Sequence, residues 1–194
     1  MKKKPAVFLD RDGTLIPDVG YLSDPAQVRL FAGTVTALKA LKKAGFYLFV
    51  LTNQSGVARG YFTESQVRKT HHRLQSLLRR KGVKIDGFFY CPHHPRGKVK
   101  SLRRVCDCRK PGTGMVKQAL KRYPVDLKES YMVGDKIDDL LLARNARMAK
   151  GLLVRTGNGR KSEKELKARK LPSGMVVSNI ARASKWILAR KEQK

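Results

Sequence analysis

Residues 7–15, read as Val-Phe-Leu-Asp-Arg-Asp-Gly-Thr-Leu, constrain the fold more than any other stretch of the chain. Their apolar start predicts a short buried strand, and Gly13 and Thr14 predict a sharp turn after it. A buried parallel strand that ends in acidic residues presents them at the carboxyl edge of a sheet, where α/β folds bind ligands. Because alternate side chains of a strand share a face, Asp10 and Asp12 can reach one site. Two carboxylates so near to each other repel, so the pair predicts a bound hard divalent cation, above all Mg²⁺.

Apolar runs alternate with stretches of helical spacing along the rest of the chain. The runs predict strands at 47–51, 85–90, 131–133, 151–154 and 175–177. Helical spacing and capping residues predict helices at 34–44, from 63 to about 81, at 113–123, at 137–147 and after Ser178 or Asn179. This alternation predicts an α/β fold with a doubly wound parallel sheet, and 194 residues suit one domain over residues 1–194. We expect the polar segment 157–172 to be a mobile surface segment, and His71 and His72 to lie on a helix surface.

The chain is strongly basic, with 43 Lys and Arg against 15 Asp and Glu and a formal net charge of +28. Such a charge predicts non-specific attraction to polyanions such as nucleic acids, but no specific binding. The basic residues are scattered over predicted helix faces without an RNA-binding signature, which favours a solvated surface; a surface engineered to high charge would show the same pattern. The sequence has no run of 18 apolar residues and no apolar signal peptide after Met1, so no membrane span is expected. We therefore expect a cytoplasmic monomer.

Polar clusters accompany four predicted elements in a fixed order. They are Asp10 and Asp12 after the first strand, Thr52 and Asn53 after the second, Arg109 and Lys110 before a helix, and Asp135 and Lys136 after a later strand, with Asp139 following. This order resembles the four motifs of the haloacid dehalogenase (HAD) superfamily of phosphohydrolases, over residues 7 to about 154. The resemblance implies a HAD-like Rossmannoid fold and a phosphatase activity.

The same resemblance implies catalytic roles. Asp10 would attack phosphorus and form an aspartyl-phosphate. Asp12 would protonate the leaving alkoxide and then deprotonate the hydrolytic water. Thr52 would hydrogen-bond the phosphoryl oxygens and Lys110 would neutralise their charge, although a surface lysine is the alternative reading of Lys110 in a chain this basic.

A bound Mg²⁺ would offset the charge that phosphate and nucleophile bring together. Its implied ligands are Asp10, the backbone carbonyl of Asp12, and Asp135. Asp139 would orient the site rather than bind the metal, with a plain helix-face carboxylate as the alternative.

Four candidate ligands for a second metal flank one segment and include every cysteine of the chain: Cys91, His93, Cys106 and Cys108. A cytosolic protein seldom uses cysteines in disulfides, and three thiols with one imidazole match a closed structural zinc site. His94 is the competing ligand, but a Cys-x-His pair with His93 mirrors the Cys-x-Cys pair. The zinc-bound loop, residues 91–108, would have no open position for chemistry and would fix Arg109 and Lys110 beside the substrate.

Longer strings around these motifs resemble the heptose 1,7-bisphosphate 7-phosphatase family, with the histidinol-phosphate phosphatases as close relatives. These strings are residues 18–21, 52–55, 91–95, 106–111 and 134–136. These families are nearly capless, and only one helix fits between the first two motifs. The resemblance implies a phosphorylated sugar substrate, contacted by Asp18, Gly20, Tyr21, Thr52, Asn53, Gln54, Ser55, Arg109, Lys110 and Lys136.

Three functions are therefore in competition. The first is Mg²⁺-dependent removal of the C7 phosphate of a heptose bisphosphate. The second is hydrolysis of histidinol phosphate. Arg109 beside Lys110 disfavours it, because this extra positive charge suits a second phosphate, which histidinol phosphate lacks. The third is a nucleic-acid-binding protein on a HAD scaffold, which the intact acidic motifs disfavour.

Overall fold

Strand β1 (Lys4–Leu9) lies inside a six-stranded parallel sheet. A computed structural model describes residues 2–170 and 174–193. The other strands are β2 (Tyr47–Asn53), β3 (Gly87–Cys91), β4 (Val125–Gly134), β5 (Lys150–Val154) and β6 (Met175–Val177). Their order is β3-β2-β1-β4-β5-β6, and every neighbouring pair is parallel. The predicted doubly wound sheet is confirmed.

Helices cover both faces of this sheet, because successive side chains of a strand point to opposite faces. The helices are α1 (Thr34–Lys43), α2 (Gly56–Arg59), α3 (Glu64–Arg79), α4 (Gly114–Leu120), α5 (Ile137–Asn145), α6 (Gly159–Ala168) and α7 (Ile180–Glu192). Val7 and Leu9 of β1 join an apolar cluster with α1, α3 and α7. Ala6 and Phe8 join a second cluster with α4 and α5 on the opposite face. Both faces of β1 are therefore buried, and the acidic turn after it lies between two packed layers.

The carboxyl edge of the sheet carries no separate cap domain within the described residues. Between β1 and β2 the chain forms one short 3₁₀ turn, Pro25–Gln27, and α1. The nearly capless architecture that the family resemblance implies is therefore present. In residues 2–170 and 174–193, no helix combines the length and the apolar character needed to cross a bilayer.

Strand β4 is longer than its apolar pattern predicts, because it begins at Val125 rather than at Tyr131. Its polar first half pairs with the start of β1, and the register shifts between Pro5 and Val7. At this shift the Ala6 amide donates to Ser130 Oγ at 2.9 Å. The buried Ser130 hydroxyl thus serves as the acceptor for a backbone N–H at the point where the regular pairing of the two strands is interrupted.

Tertiary contacts bury parts of two segments that were expected at the surface. The segment 157–172 contains α6, whose Leu166 is buried against Leu140 and Leu153; residues 171 and 172 lie outside the described residues, and the expected mobility of the segment stays a prediction. The expected surface position of His71 is wrong. His71 is buried on α3 rather than exposed, and its ring stacks on Phe88 with centroids 5.0 Å apart. In both cases long-range apolar contacts decide the burial, and a local pattern of polar residues does not show them.

The buried His71 predicts a loss of stability in acid. Burial, with the Arg11 charge as a second cause, lowers the pKa of His71 to about 3. Below a pH of about 6.5 the unfolded chain binds a proton at this residue that the folded chain does not, so stability falls as pH falls from about 6.5 towards about 3. Between about pH 7.5 and about pH 4.5, we expect the free energy of unfolding of His71→Leu to fall by about 2 kcal/mol less than that of the wild type. Urea unfolding at both pH values measures this difference.

His72 is the matched control, because it neighbours His71 on α3 and is exposed. His72→Leu should keep the wild-type response to acid. An equal acid loss in His71→Leu and in the wild type would contradict the prediction.

Candidate active site

The carboxyl edge of the sheet brings the expected catalytic residues together. Asp10 and Asp12 follow β1, Thr52 lies at the end of β2, and Asp135 follows β4. Leu9 of β1 pairs with Val50 on one side and Val133 on the other, so the three strand ends are level. Parallel strands that end side by side form the ligand site of α/β folds.

Lys110 is buried between two carboxylates. Its Nζ lies 2.6 Å from Asp10 Oδ1 and 2.6 Å from Asp139 Oδ1, and it donates to Leu51 O at 3.0 Å. Burial lowers the pKa of Lys110, but the charges of Asp10 and Asp139 outweigh this effect and hold the pKa above its usual value. Lys110 is therefore a fixed positive charge beside the candidate nucleophile. The alternatives of a surface lysine at 110 and a helix-face carboxylate at 139 are wrong, because both side chains are buried.

Three carboxylates at this edge fit a hard cation. Asp10, Asp135 and Asp139 each offer an oxygen, and these oxygens all lie within 4.8 Å of one another. Burial raises the pKa of Asp135 to about 7, with the Asp10 charge as a further cause, and burial also raises the pKa of Asp10. Asp135 Oδ1 is buried and has no hydrogen-bond partner among the described residues. The buried, unpaired oxygen of Asp135, next to Asp10 and Asp139, suits Mg²⁺, which prefers oxygen ligands.

Asp139 differs from the other two carboxylates in its contacts. One oxygen accepts from Lys110 Nζ at 2.6 Å, and the other accepts from the Lys136 backbone N–H at 3.0 Å. Both oxygens therefore hold neighbouring groups in place. These contacts favour the orienting role that the family resemblance implies for Asp139.

A cavity of about 330 Å³ opens beside these residues. Its lining includes the expected catalytic residue Asp12 and most of the expected substrate contacts: Asp18, Gly20, Tyr21, Asn53, Gln54, Ser55 and Lys136. A deeper space of about 30 Å³ is lined by Asp10, Thr52 and Lys110, among others. The deeper space would suit a phosphoryl group, and the larger cavity would suit the polar remainder of a phosphate ester.

The three thiols of residues 91–108 and the imidazole of His93 converge on one point. The three Sγ atoms lie 3.1–3.4 Å apart, and His93 Nδ1 lies 3.2 Å from Cys108 Sγ and 3.7 Å from Cys91 Sγ. Sulfurs around a tetrahedral zinc are about 3.8 Å apart, so a modest spread of the thiols would admit the ion. His93 rather than His94 belongs to this group. Zinc on Nδ1 would place the ring proton on Nε2, so the Arg104 guanidinium, now 2.6 Å from Nε2, would have to turn away.

Comparison with known proteins decides the family. The chain is 47% identical to the D-glycero-β-D-manno-heptose-1,7-bisphosphate 7-phosphatase of Escherichia coli strain K12, over 80% of this chain and 82% of that protein. It is 42% identical to the Yersinia pestis protein of the same name, over 96% of both chains. The chain belongs to the heptose-1,7-bisphosphate 7-phosphatase family.

Further matches agree with this family and with its HAD phosphatase fold. The HAD-hydrolase-like family model matches residues 107–183. The crystal structure of a D,D-heptose 1,7-bisphosphate phosphatase from B. bronchiseptica, complexed with magnesium and phosphate, superposes with a TM-score of 0.82 at 33% identity, covering 96% of this chain and 99% of that one. Like its relatives, the chain is a HAD-superfamily phosphatase, a phosphoric monoester hydrolase.

Arg109 is placed differently from the other expected substrate contacts of this heptose bisphosphate phosphatase. It is not among the residues that line either cavity of the site, and its Nη1 is buried without a partner among the described residues. Asn53 has a structural contact in addition to its place in the cavity wall. Its amide donates to Lys110 O at 3.2 Å and accepts from Lys110 N at 3.0 Å, which ties Lys110 to the end of β2.

Asn158 is a site residue of the phosphatase that the sequence interpretation missed. Its backbone N–H donates to Asp135 Oδ2 at 2.7 Å, and its side-chain amide donates to Asp18 Oδ2 at 2.9 Å. Gly157 allows this approach, because a Cβ there would lie 2.4 Å from Asp135 Oδ2, and its φ of +55° suits glycine. Gly-Asn-Gly at 157–159 follows β5 at the same sheet edge, so the strand-end rule that found Asp135 could also have found Asn158.

Proposed function

We propose that this enzyme removes the C7 phosphate of D-glycero-β-D-manno-heptose 1,7-bisphosphate and leaves heptose 1-phosphate for lipopolysaccharide precursors. The observation that carries the proposal is the buried Asp10–Lys110–Asp139 arrangement at the base of a polar cavity. The names of relatives at 42–47% identity supply the substrate.

The first chemical step is attack by Asp10 on the C7 phosphorus. Asp10 Oδ1 becomes bonded to phosphorus, and the bond from phosphorus to the C7 oxygen breaks. Lys110 Nζ, held 2.6 Å from Asp10, offsets the charge that develops on the phosphoryl oxygens, and Thr52 Oγ1 at the end of β2 can donate to them. Asp12 gives a proton to the leaving alkoxide.

The second step is hydrolysis of the aspartyl-phosphate. Asp12, now a carboxylate, takes a proton from water as the water attacks phosphorus, which releases inorganic phosphate and restores Asp10. One residue thus serves as acid in the first step and as base in the second, so its carboxylate must face the reacting atoms in both.

Asp10, Asp135 and the backbone carbonyl of Asp12 would hold Mg²⁺ in this site. Bound there, the ion supplies positive charge that lets an anionic ester approach an anionic nucleophile. The three thiols and His93 would hold zinc with no open position, so that zinc is structural and stabilises the loop that precedes Lys110.

Lys136, rather than Arg109, is the cation best placed for a second phosphate. It lines both the outer cavity and the deeper space, and its Nζ lies 3.2 Å from Asp18 Oδ2. Burial lowers the pKa of Lys136, but the charges of Asp135, Asp10 and Asp18 hold it above the usual value, so the group is cationic. A cation at the cavity wall favours a bisphosphate over histidinol phosphate, which has one phosphate.

Three remaining expectations stay predictions. The free thiols of Cys91, Cys106 and Cys108 suit a reducing compartment, and we place the enzyme in the cytoplasm. A monomeric state is still expected. Attraction to polyanions is expected from the net charge of +28 and should weaken steeply as salt rises.

A panel of phosphate esters tests the proposed function. The purified protein is assayed with Mg²⁺ at moderate salt against heptose 1,7-bisphosphate, histidinol phosphate and 3′-phosphorylated DNA, with release of inorganic phosphate as the readout. We expect kcat/KM for the heptose bisphosphate to exceed that for each other ester by at least about a hundredfold. A preference for histidinol phosphate or for DNA ends would overturn the proposed substrate.

A further inference from the structure

Arg11, the residue between the two catalytic aspartates, has no part in the mechanism above. Its side chain is only 1% exposed. Its Nε donates to Asp12 Oδ1 at 3.0 Å and its Nη2 donates to Asp12 Oδ2 at 2.9 Å. A planar guanidinium that contacts both oxygens fixes the rotation of a carboxylate as well as its position.

Gln54 holds the same carboxylate from the end of β2. Its Nε2 donates to Asp12 Oδ2 at 2.9 Å and lies 2.8 Å from Thr52 Oγ1. The Asp12 carboxylate therefore accepts three hydrogen bonds from two protein elements. The Gln54 side chain thus links the Asp12 carboxylate to Thr52, the residue proposed to hydrogen-bond the phosphoryl group.

The turn after β1 does not need the Arg11 side chain in order to form. The backbone carbonyl of Arg11 already accepts from Leu15 N at 3.0 Å and from Ile16 N at 3.2 Å. Burying the guanidinium is costly, and Arg11 Nη1 has no hydrogen-bond partner among the described residues. An apolar side chain would fill this space at lower cost, so the contact with Asp12 is the feature that accounts for an arginine here.

We propose that Arg11, assisted by Gln54, is a positioning residue that holds the Asp12 carboxylate in the orientation for proton transfer. The inference rests on the proposed function, in which Asp12 serves as acid and then as base. Without the two-point contact the carboxylate can rotate away from the leaving oxygen and from the attacking water. Attack by Asp10 on an ester whose leaving group needs no proton would remain fast.

Two substrates separate these steps. Heptose 1,7-bisphosphate releases an alkoxide that needs a proton, whereas p-nitrophenyl phosphate releases a phenolate that departs without one. Arg11→Lys keeps the charge but cannot contact both oxygens in the same plane. We expect its kcat for heptose bisphosphate to fall about a hundredfold, with KM changed less than about threefold.

With p-nitrophenyl phosphate the same variant should show a burst. After rapid mixing, an amount of nitrophenolate equal to the amount of enzyme should be released at a rate within about fivefold of the wild type. Later turnover should be slow, because hydrolysis of the phosphoenzyme needs the Asp12 carboxylate as base. Gln54→Met removes one donor at similar length and should give the same pattern with a smaller loss. It also keeps the inference testable if Arg11→Lys does not fold.

Arg155→Lys is the matched control. Arg155 makes an equivalent two-point contact with Glu163, at 2.7 and 2.9 Å, on the exposed surface, and its replacement should leave both substrates unaffected. An equal loss of burst rate and of heptose turnover in Arg11→Lys, or unchanged heptose turnover, would overturn the positioning role. Wild-type protein without heptose bisphosphatase activity would instead overturn the proposed function, and the inference with it.

Discussion

Asp10→Asn should reduce turnover of heptose 1,7-bisphosphate at least about a thousandfold, because an amide cannot form the aspartyl-phosphate. The substitution keeps the shape of a side chain that is buried against Lys110 at 2.6 Å. It also removes one of the two carboxylates that balance the buried lysine. The measurement is steady-state release of inorganic phosphate by freshly purified protein with Mg²⁺ present.

Asp24→Asn is the control for this experiment. Asp24 is exposed, lines neither cavity of the site and caps the 3₁₀ turn Pro25–Gln27, where asparagine can cap equally well. This variant should keep wild-type turnover. Near-normal hydrolysis by Asp10→Asn would show that the mechanism is not covalent at this residue.

Cys106→Ser should lower the zinc content and reduce activity about a hundredfold, while most of the helical circular dichroism remains. The segment between His93 and Cys106 carries Arg96, Lys98, Lys100, Arg103 and Arg104 and no acidic residue, so its cations repel one another. Structural zinc in peptides contributes roughly 10 kcal/mol or more, which can order such a segment. Lys110 follows the last cysteine by two residues, and small errors in its position would weaken catalysis greatly.

Val105→Ser tests whether the effect belongs to the thiol. Val105 precedes Cys106 and is 86% exposed, so its replacement should leave zinc content and activity unchanged. Elemental analysis of protein purified without chelators gives the zinc content, which we expect to be one ion per chain in the wild type. Fully active protein without zinc would show that the loop is ordered in another way.

The sequence predicts which residues form the site better than it predicts their burial and their hydrogen-bond partners. Asp10, Thr52 and Asp135 could be found because each follows or ends an apolar strand, and parallel strands end at one edge. Asn158 was overlooked because it does not follow its strand directly: it lies four residues after Val154, the last residue of β5, in a stretch that was interpreted only as polar. The buried state of Asp139 could not be predicted, since it depends on Lys110, which is 29 residues away in the chain.

The same limit applies to the fold. Apolar runs place all six strands, but the polar first half of β4 is found only through its pairing with Lys4 and Pro5. His71 looks like a solvated helix residue until Phe88 of β3 is seen to pack on its ring. Local periodicity therefore fixes element type and order, whereas contacts between distant segments decide which polar groups are buried.

The place of β1 between β2 and β4 also bears on how the enzyme is made. The contact between Ala6 and Ser130 spans 124 residues, so this side of β1 is completed only by a pairing that is distant in the chain. Contacts of such long range slow folding, and during synthesis the strand that carries Asp10 would keep one edge unpaired until β4 has left the ribosome. Since Asp135 and Asp139 follow β4, a nascent chain that ends before them would hold the proposed nucleophile Asp10 but neither Asp135, the second carboxylate proposed to bind Mg²⁺, nor Asp139, the second partner of Lys110.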